Sequence, residues 1–124
     1  MQTVTLVLGA SFGILAITLG AFGAHAFKKI ISTDKLASFE VGVRYQMYSA
    51  LALLLIGFSC DFTLYSQRLA VYGIAIGTIL FSFSIYLLSF SEYWKANLRF
   101  LGPITPLGGL LMIIGWASLL VSFL

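Results

Sequence analysis

Long uncharged stretches alternate with short clusters of charge along this chain. The eleven charged side chains are Lys28, Lys29, Asp34, Lys35, Glu40, Arg44, Asp61, Arg68, Glu92, Lys95 and Arg99. Val4 to Phe27 is 24 residues without a charge, and Leu69 to Ser91 is 23. Each exceeds the ~20 residues that a helix needs to cross a hydrocarbon core about 30 Å thick. The run from Phe100 to Leu124 carries Pro103 and Pro106. Proline suits the first turn of a helix and not its middle, so this helix is predicted to begin near Thr105, with Thr105 as N-cap and Pro106 at the first helical position. Between Tyr45 and Cys60 only 16 residues are uncharged. Upstream, Leu36, Phe39 and Val43 share one helical face by their 3,4 spacing. Glu40 and Arg44 lie on another face at i,i+4, the acid first, the better order for a helical ion pair. Residues 34–44 therefore read as an amphipathic lead-in at the interface, with Arg44 snorkelling toward headgroups.

The pattern predicts an all-α membrane protein, one domain over 1–124, with four transmembrane helices near 4–27, 43–61, 69–91 and 105–124. Ala24-His25-Ala26 imitates a signal-peptidase site. However, no positive n-region precedes the first apolar run, and that run is longer than a signal peptide's, so it reads as a retained helix.

Composition agrees with lipid as the solvent. Of the 124 residues 60% are hydrophobic and only 9% charged, with mean hydropathy +1.06. A soluble domain carries roughly 25% charge. A net charge of +3 is too sparse for a nucleic-acid surface. One cysteine, Cys60, and one histidine leave no internal disulfide, no self-contained structural zinc site and no bis-histidine haem, and no cofactor is expected. Cys60 reads as a small buried residue, with an intermolecular disulfide as the alternative.

Four spans put the connections after the first and third helices on one side. That side holds Lys28, Lys29, Lys35, Arg44, Lys95 and Arg99, and the other side only Arg68. The positive-inside rule then places both termini outside, with Tyr93 and Trp94 in an inner aromatic belt and Tyr65 and Tyr72 in an outer one.

Lipid tails are as apolar as leucine, so helices associate in membranes through close backbone approach. Gly9, Gly13, Ala16, Gly20 and Gly23 recur at spacings of 4, 3, 4 and 3 on the first helix. Ala70, Gly73, Gly77 and Ser84 repeat the motif on the third. Gly108, Gly115, Ser118 and Ser122 do so on the fourth, with Ala50 and Gly57 on the second. These seams fit packing within one chain or between protomers.

Polar residues gather toward the end of the bundle expected to face the cytoplasm. The candidates are His25, Glu40, Arg44, Tyr45, Gln46, Tyr48, Ser49, Ser84, Tyr86 and Thr105, with Ser82 beside them. Each has a plain reading: an interfacial ion pair for Glu40 and Arg44, and a belt with cross-helix hydrogen bonds for Tyr45, Gln46 and Tyr48. Anion binding at the N-terminus of the fourth helix is a further option. Trp116 reads as a packing residue whose indole N–H seeks an acceptor.

Three segments carry a family resemblance: Gly20-Ala21-Phe22-Gly23-Ala24-His25-Ala26; Phe39-Glu40 through Gly42 and Arg44-Tyr45-Gln46-Met47-Tyr48; and Leu101-Gly102 through Ile104-Thr105-Pro106-Leu107-Gly108-Gly109, followed by Gly115-Trp116. In this order they resemble domain of unknown function family 423. The resemblance implies a small four-span protein of a bacterial inner membrane, with no established activity. Ser49 stands where that family usually has histidine, and Phe83 where it usually has glycine.

Together these features suggest a non-enzymatic subunit, scaffold or lipid-contacting accessory, with membrane lipids as partners and a homo-oligomer or larger complex as further options. A small oligomeric transporter or channel is the alternative, but the intramembrane carboxylate usual in proton coupling is missing from the first helix. An enzyme finds neither an acid pair nor an activated nucleophile.

Overall fold

The computed structural model describes residues 1–23 and 25–124. Helix α1 (Gln2–His25) leads through a 3-10 turn (Phe27–Lys29) to α2 (Thr33–Ser59). A short connection reaches α3 (Tyr65–Thr78), which runs through a π turn (Ile79–Phe83) into α4 (Ser84–Ser89). A longer connection containing a 3-10 turn (Arg99–Leu101) precedes α5 (Ile104–Val121). Helices α3 and α4 with the π turn form one rod, so four segments are long and apolar enough to span a membrane: Gln2–Gly23, Thr33–Ser59, Tyr65–Ser89 and Arg99–Val121. The two termini and the α2–α3 turn share one end of the molecule. The other end carries Lys28, Lys29, Lys95 and Arg99 and is called the basic end below.

The amphipathic lead-in and the second span are one unbroken helix. Ser32 caps it, its hydroxyl accepting from the Lys35 N–H at 3.2 Å, and Asp34 in the first turn suits the helix dipole. At 1.5 Å per residue, its 27 residues reach about 40 Å, longer than the ~30 Å core. Its charged residues, Asp34, Lys35, Glu40 and Arg44, all lie in the half toward the basic end. At the opposite end the turn is pinned by Asp61, whose Oδ1 accepts from the Thr63 N–H at 3.1 Å and hydroxyl at 2.9 Å. Those bonds hold its carboxyl below the ordinary carboxylate range. Partial burial, with the Asp61 charge beside it, pushes the Cys60 thiol up.

The start of α5 differs from the sequence expectation. Pro103 occupies the N-cap in helical conformation (φ −69°, ψ −19°) with no side-chain cap, because the preceding 3-10 turn already leads into the helix. Ile104 is the first helical residue. Pro106 sits two positions further on, still within the turn whose N–H groups have no intrahelical acceptor. Thr105 is therefore not the cap.

Glycine decides which helices touch. The α1 seam faces α2: a Cβ on Gly9 would come within 2.9 Å of Leu54 and 3.0 Å of the Ala50 carbonyl, and one on Gly23 within 3.2 Å of Phe39. The closest crossing joins α3 to α5. A Cβ on Gly73 would lie 2.6 Å from Gly115 Cα, and one on Gly77 would lie 2.7 Å from the Gly108 carbonyl. A Cβ on Gly108 would meet the Phe81 backbone nitrogen. Both glycine seams are thus consumed within the chain. The α1–α2 and α3–α5 pairs are joined by α2 packing on the rod, around Phe12, Ala50, Leu53, Ile56, Val71 and Ile74. Among the described residues no comparable contact closes α1 onto α5, so the spans follow one another in a row.

Gly77→Ala and Gly108→Ala should each destabilise the fold by about 1–3 kcal/mol, since backbone opposite the new methyl cannot yield. Gly13→Ala should be neutral or slightly stabilising, because the nearest atom, Ala50 Cβ, is 4.0 Å away. Unfolding in mixed micelles, followed by helical circular dichroism, measures both.

Candidate functional site

The π turn decides which side chains of the rod point inward. Val71, Ile74 and Thr78 are buried on α3, and at a regular helical period the same face would continue through Phe81, Ile85 and Leu88. Instead those three are half-buried, and Ser82, Tyr86 and Ser89 are buried. The extra residue of a π turn accounts for that shift of one position. The inward face thereby changes from hydrocarbon to hydroxyl.

These hydroxyls meet α2 and, through it, α1. The Gln46 side chain donates from Nε2 to the Phe12 carbonyl on α1 at 2.9 Å and accepts at Oε1 from the Tyr86 hydroxyl at 2.6 Å. One amide thus ties three spans together. Ser82 donates to the Gly42 carbonyl at 2.8 Å. Thr78 Oγ1 lies 2.6 Å from both the Ile74 carbonyl and Ser49 Oγ. A carbonyl only accepts and a hydroxyl has one proton, so Thr78 donates to Ile74 and Ser49 supplies the proton of the other bond. By the same reasoning Ser84 donates to the Phe81 carbonyl at 2.9 Å, and Thr105 donates to Ser84 at 2.6 Å. The Thr105 hydroxyl thus joins α5 to the rod. No buried side-chain polar atom among the described residues lacks a partner.

The ten sequence candidates therefore separate into four groups. Gln46, Ser49, Ser84, Tyr86 and Thr105 belong to the internal ladder. Tyr45 and Tyr48 face outward, edge to face with ring centroids 5.6 Å apart, and Tyr45 also contacts the Phe81 ring at 5.1 Å. They line one end of an apolar crevice of about 1120 Å³ between α2 and α5. Trp116 stands on the wall of this crevice, half exposed, and not inside the bundle as a packing residue. Glu40 and Arg44 are exposed on the opposite flank, lining a notch of about 390 Å³ against Gly20 and Gly23 of α1. Exposed i,i+4 pairs of this type are worth about 0.3–0.5 kcal/mol, so their charges stay available to other partners. His25 ends α1 at the basic end, exposed.

Thr78 was not among the sequence candidates, although it is fully buried and central to the ladder. Its 4-residue spacing from Ile74 and from Ser82 was the available signal. The ladder is neutral and fully paired, and its bonds fix the register of the helices they join.

Gln46→Leu strands the Tyr86 hydroxyl, and Tyr86→Phe leaves Gln46 Oε1 without its donor. Each should cost about 1–2 kcal/mol. The double variant should cost less than the sum, with a coupling of about 0.6–1.7 kcal/mol measured by a double-mutant unfolding cycle.

Comparison with known proteins bears on this geometry. Residues 19–109 match the family described as protein of unknown function (DUF423). The chain is 40% identical over 117 residues to the UPF0382 membrane protein SAB0533 of Staphylococcus aureus, covering 94% of this chain and 92% of the relative. It is 39% identical over 121 residues to the UPF0382 membrane protein YwdK of Bacillus subtilis, covering 96% and 94%. No solved structure matches the chain significantly. The relatives carry no enzymatic name. Four apolar spans and this match over most of the chain lead to one conclusion: it is an integral membrane protein belonging to the family of proteins of unknown function DUF423.

Proposed function

We propose that this protein is a non-enzymatic accessory of a bacterial inner membrane that holds lipid against its flank, with its basic end toward the cytoplasm. The observation carrying this reading is the crevice between α2 and α5. Both helices pack on the rod and not closely on each other, so the space between them opens sideways into the bilayer. Ala52, Leu55, Met112, Ile113 and Trp116 give it an apolar lining. Along α5 it runs from Gly109 to Leu120, about 16 Å at 1.5 Å per residue. That is about half of a ~30 Å hydrocarbon core, the reach of one acyl chain. A transmembrane helix would need a groove of the full thickness.

Transport finds less support. No charged side chain is buried among the described residues, and every buried side-chain polar atom there has a hydrogen-bond partner, most often a backbone carbonyl, leaving none free to carry an ion. The distribution of lysine and arginine supports the orientation.

Native mass spectrometry of the protein released from mild detergent tests the reading. The wild type should emerge carrying phospholipid. Filling the crevice with Ala52→Phe and Ala117→Phe together should lower the retained count. Lipid-free wild type, or a filled variant that retains as much, would sink the proposal.

A further inference from the structure

The notch on the other flank has a different character. Its floor is α1 backbone at Gly20 and Gly23, and its α2 wall carries Phe39, Glu40, Val43 and Arg44. A Cβ on Gly20 would already sit 3.4 Å from Val43 Cγ1, and one on Gly23 would sit 3.2 Å from the Phe39 ring. Those glycines let Val43 and Phe39 close onto the α1 backbone, and the notch of about 390 Å³ is the space left open beside them. It lies near the basic end of α2, a helix longer than the hydrocarbon core, so its depth is that of lipid headgroups and the first carbons of their chains.

The order of charge along α2 identifies what fits. Glu40 is nearer the basic end, and Arg44 lies one helical turn, about 6 Å, deeper. A phospholipid presents its phosphate next to the glycerol and any terminal amine further out toward water. An aminoethyl phosphate headgroup therefore has negative charge at the level of Arg44 and positive charge at the level of Glu40. The guanidinium is shaped to pair with phosphate oxygens, and the carboxylate accepts hydrogen bonds from a primary ammonium. An anionic headgroup ending in glycerol would satisfy Arg44 but place only hydroxyls, under a net negative charge, beside Glu40. We propose that the Gly20, Gly23, Glu40 and Arg44 notch is a headgroup site selective for phosphatidylethanolamine-type lipids. The site depends only on the basic end lying at a membrane surface, whichever side that is. It rests on the lipid-contacting reading solely in that the chain lies in lipid, and it uses the flank opposite the crevice.

The test uses the full chain in nanodiscs made from equal parts phosphatidylethanolamine and phosphatidylglycerol with identical acyl chains. Lipids that survive release into native mass spectrometry are identified. The wild type should retain ethanolamine lipid about threefold to fivefold over its bulk share, the scale of one exposed charge contact. Glu40→Gln should erase the preference, and Glu40→Lys should turn it toward phosphatidylglycerol. Arg44→Gln should lower retention of both headgroups, as should Gly20→Leu, which fills the notch. Retention by the wild type in the bulk ratio overturns the site, as does a preference unchanged in Glu40→Lys. The Ala52→Phe and Ala117→Phe variant separates this inference from the crevice. It should lower the number of bound lipids while leaving the headgroup preference in place, so either proposal can fail alone.

Discussion

Backbone contact at glycine is the constraint on which the rest of this protein depends. In water, leucine on two helices would join them, but in lipid it is indifferent to whether its neighbour is a helix or an acyl chain. The selective attraction left is what lipid cannot offer: backbone packed on backbone, and polar groups that find each other. The α3–α5 crossing is built on the first. Gly73 against Gly115 and Gly77 against Gly108 bring the two axes so near that no side chain fits between them. The α1–α2 pair uses the same device more loosely, at Gly9 and Gly23. Two hairpins result, each closed by its own seam.

Glycine contact fixes distance but says little about rotation, and hydroxyls supply the rest. Gln46 can reach the Phe12 carbonyl and the Tyr86 hydroxyl together only with all three helices in one register. The π turn makes this possible by moving Tyr86 inward where a regular helix would have placed Ile85. Such a turn distorts the backbone ladder, and it is placed where Gly108 presses against Phe81, so one local irregularity serves the contacts on both sides of the rod.

The spans were legible in the sequence because charge is excluded from the hydrocarbon core, and that rule acts residue by residue. Val4 to Phe27 could be read without knowing anything that it touches. The small-residue seams were legible as seams, since glycine at heptad-like spacing has few other uses in a membrane helix. Their partners were not. Whether Gly9 meets α2, α3 or another copy depends on tertiary arrangement, which spacing does not encode. Of the polar candidates, Gln46, Ser84, Tyr86 and Thr105 were recognisable by type. The ladder they form was hidden because Ser82 and Tyr86 turn to α2 while Ser84 turns to α5, and which neighbour each face meets is set by tertiary arrangement. Thr105 was misplaced for a related reason. Cap chemistry is a local rule, and here the 3-10 turn Arg99–Leu101 already leads through Gly102 and Pro103 into the helix, freeing the threonine hydroxyl for Ser84.

A row of spans has a consequence that a closed ring of four would not. A ring encloses an axis, and its polar interior can become a path from one face of the membrane to the other. Here α1 and α5 lie at opposite ends of the row, and the described polar side chains at the centre are all bonded, to backbone carbonyls or to each other. The concave surfaces open sideways instead. One is an apolar crevice between α2 and α5, and the other a notch between α1 and α2 carrying one charge of each sign. Helix α2 forms a wall of both, presenting Tyr48, Ala52 and Leu55 on one flank and Glu40 and Arg44 on the other. Its first, amphipathic turns set the depth of the charged notch, while its apolar remainder lines the crevice. The lead-in that made the second span look short in the sequence is therefore the part of the helix that carries the charged wall of the notch.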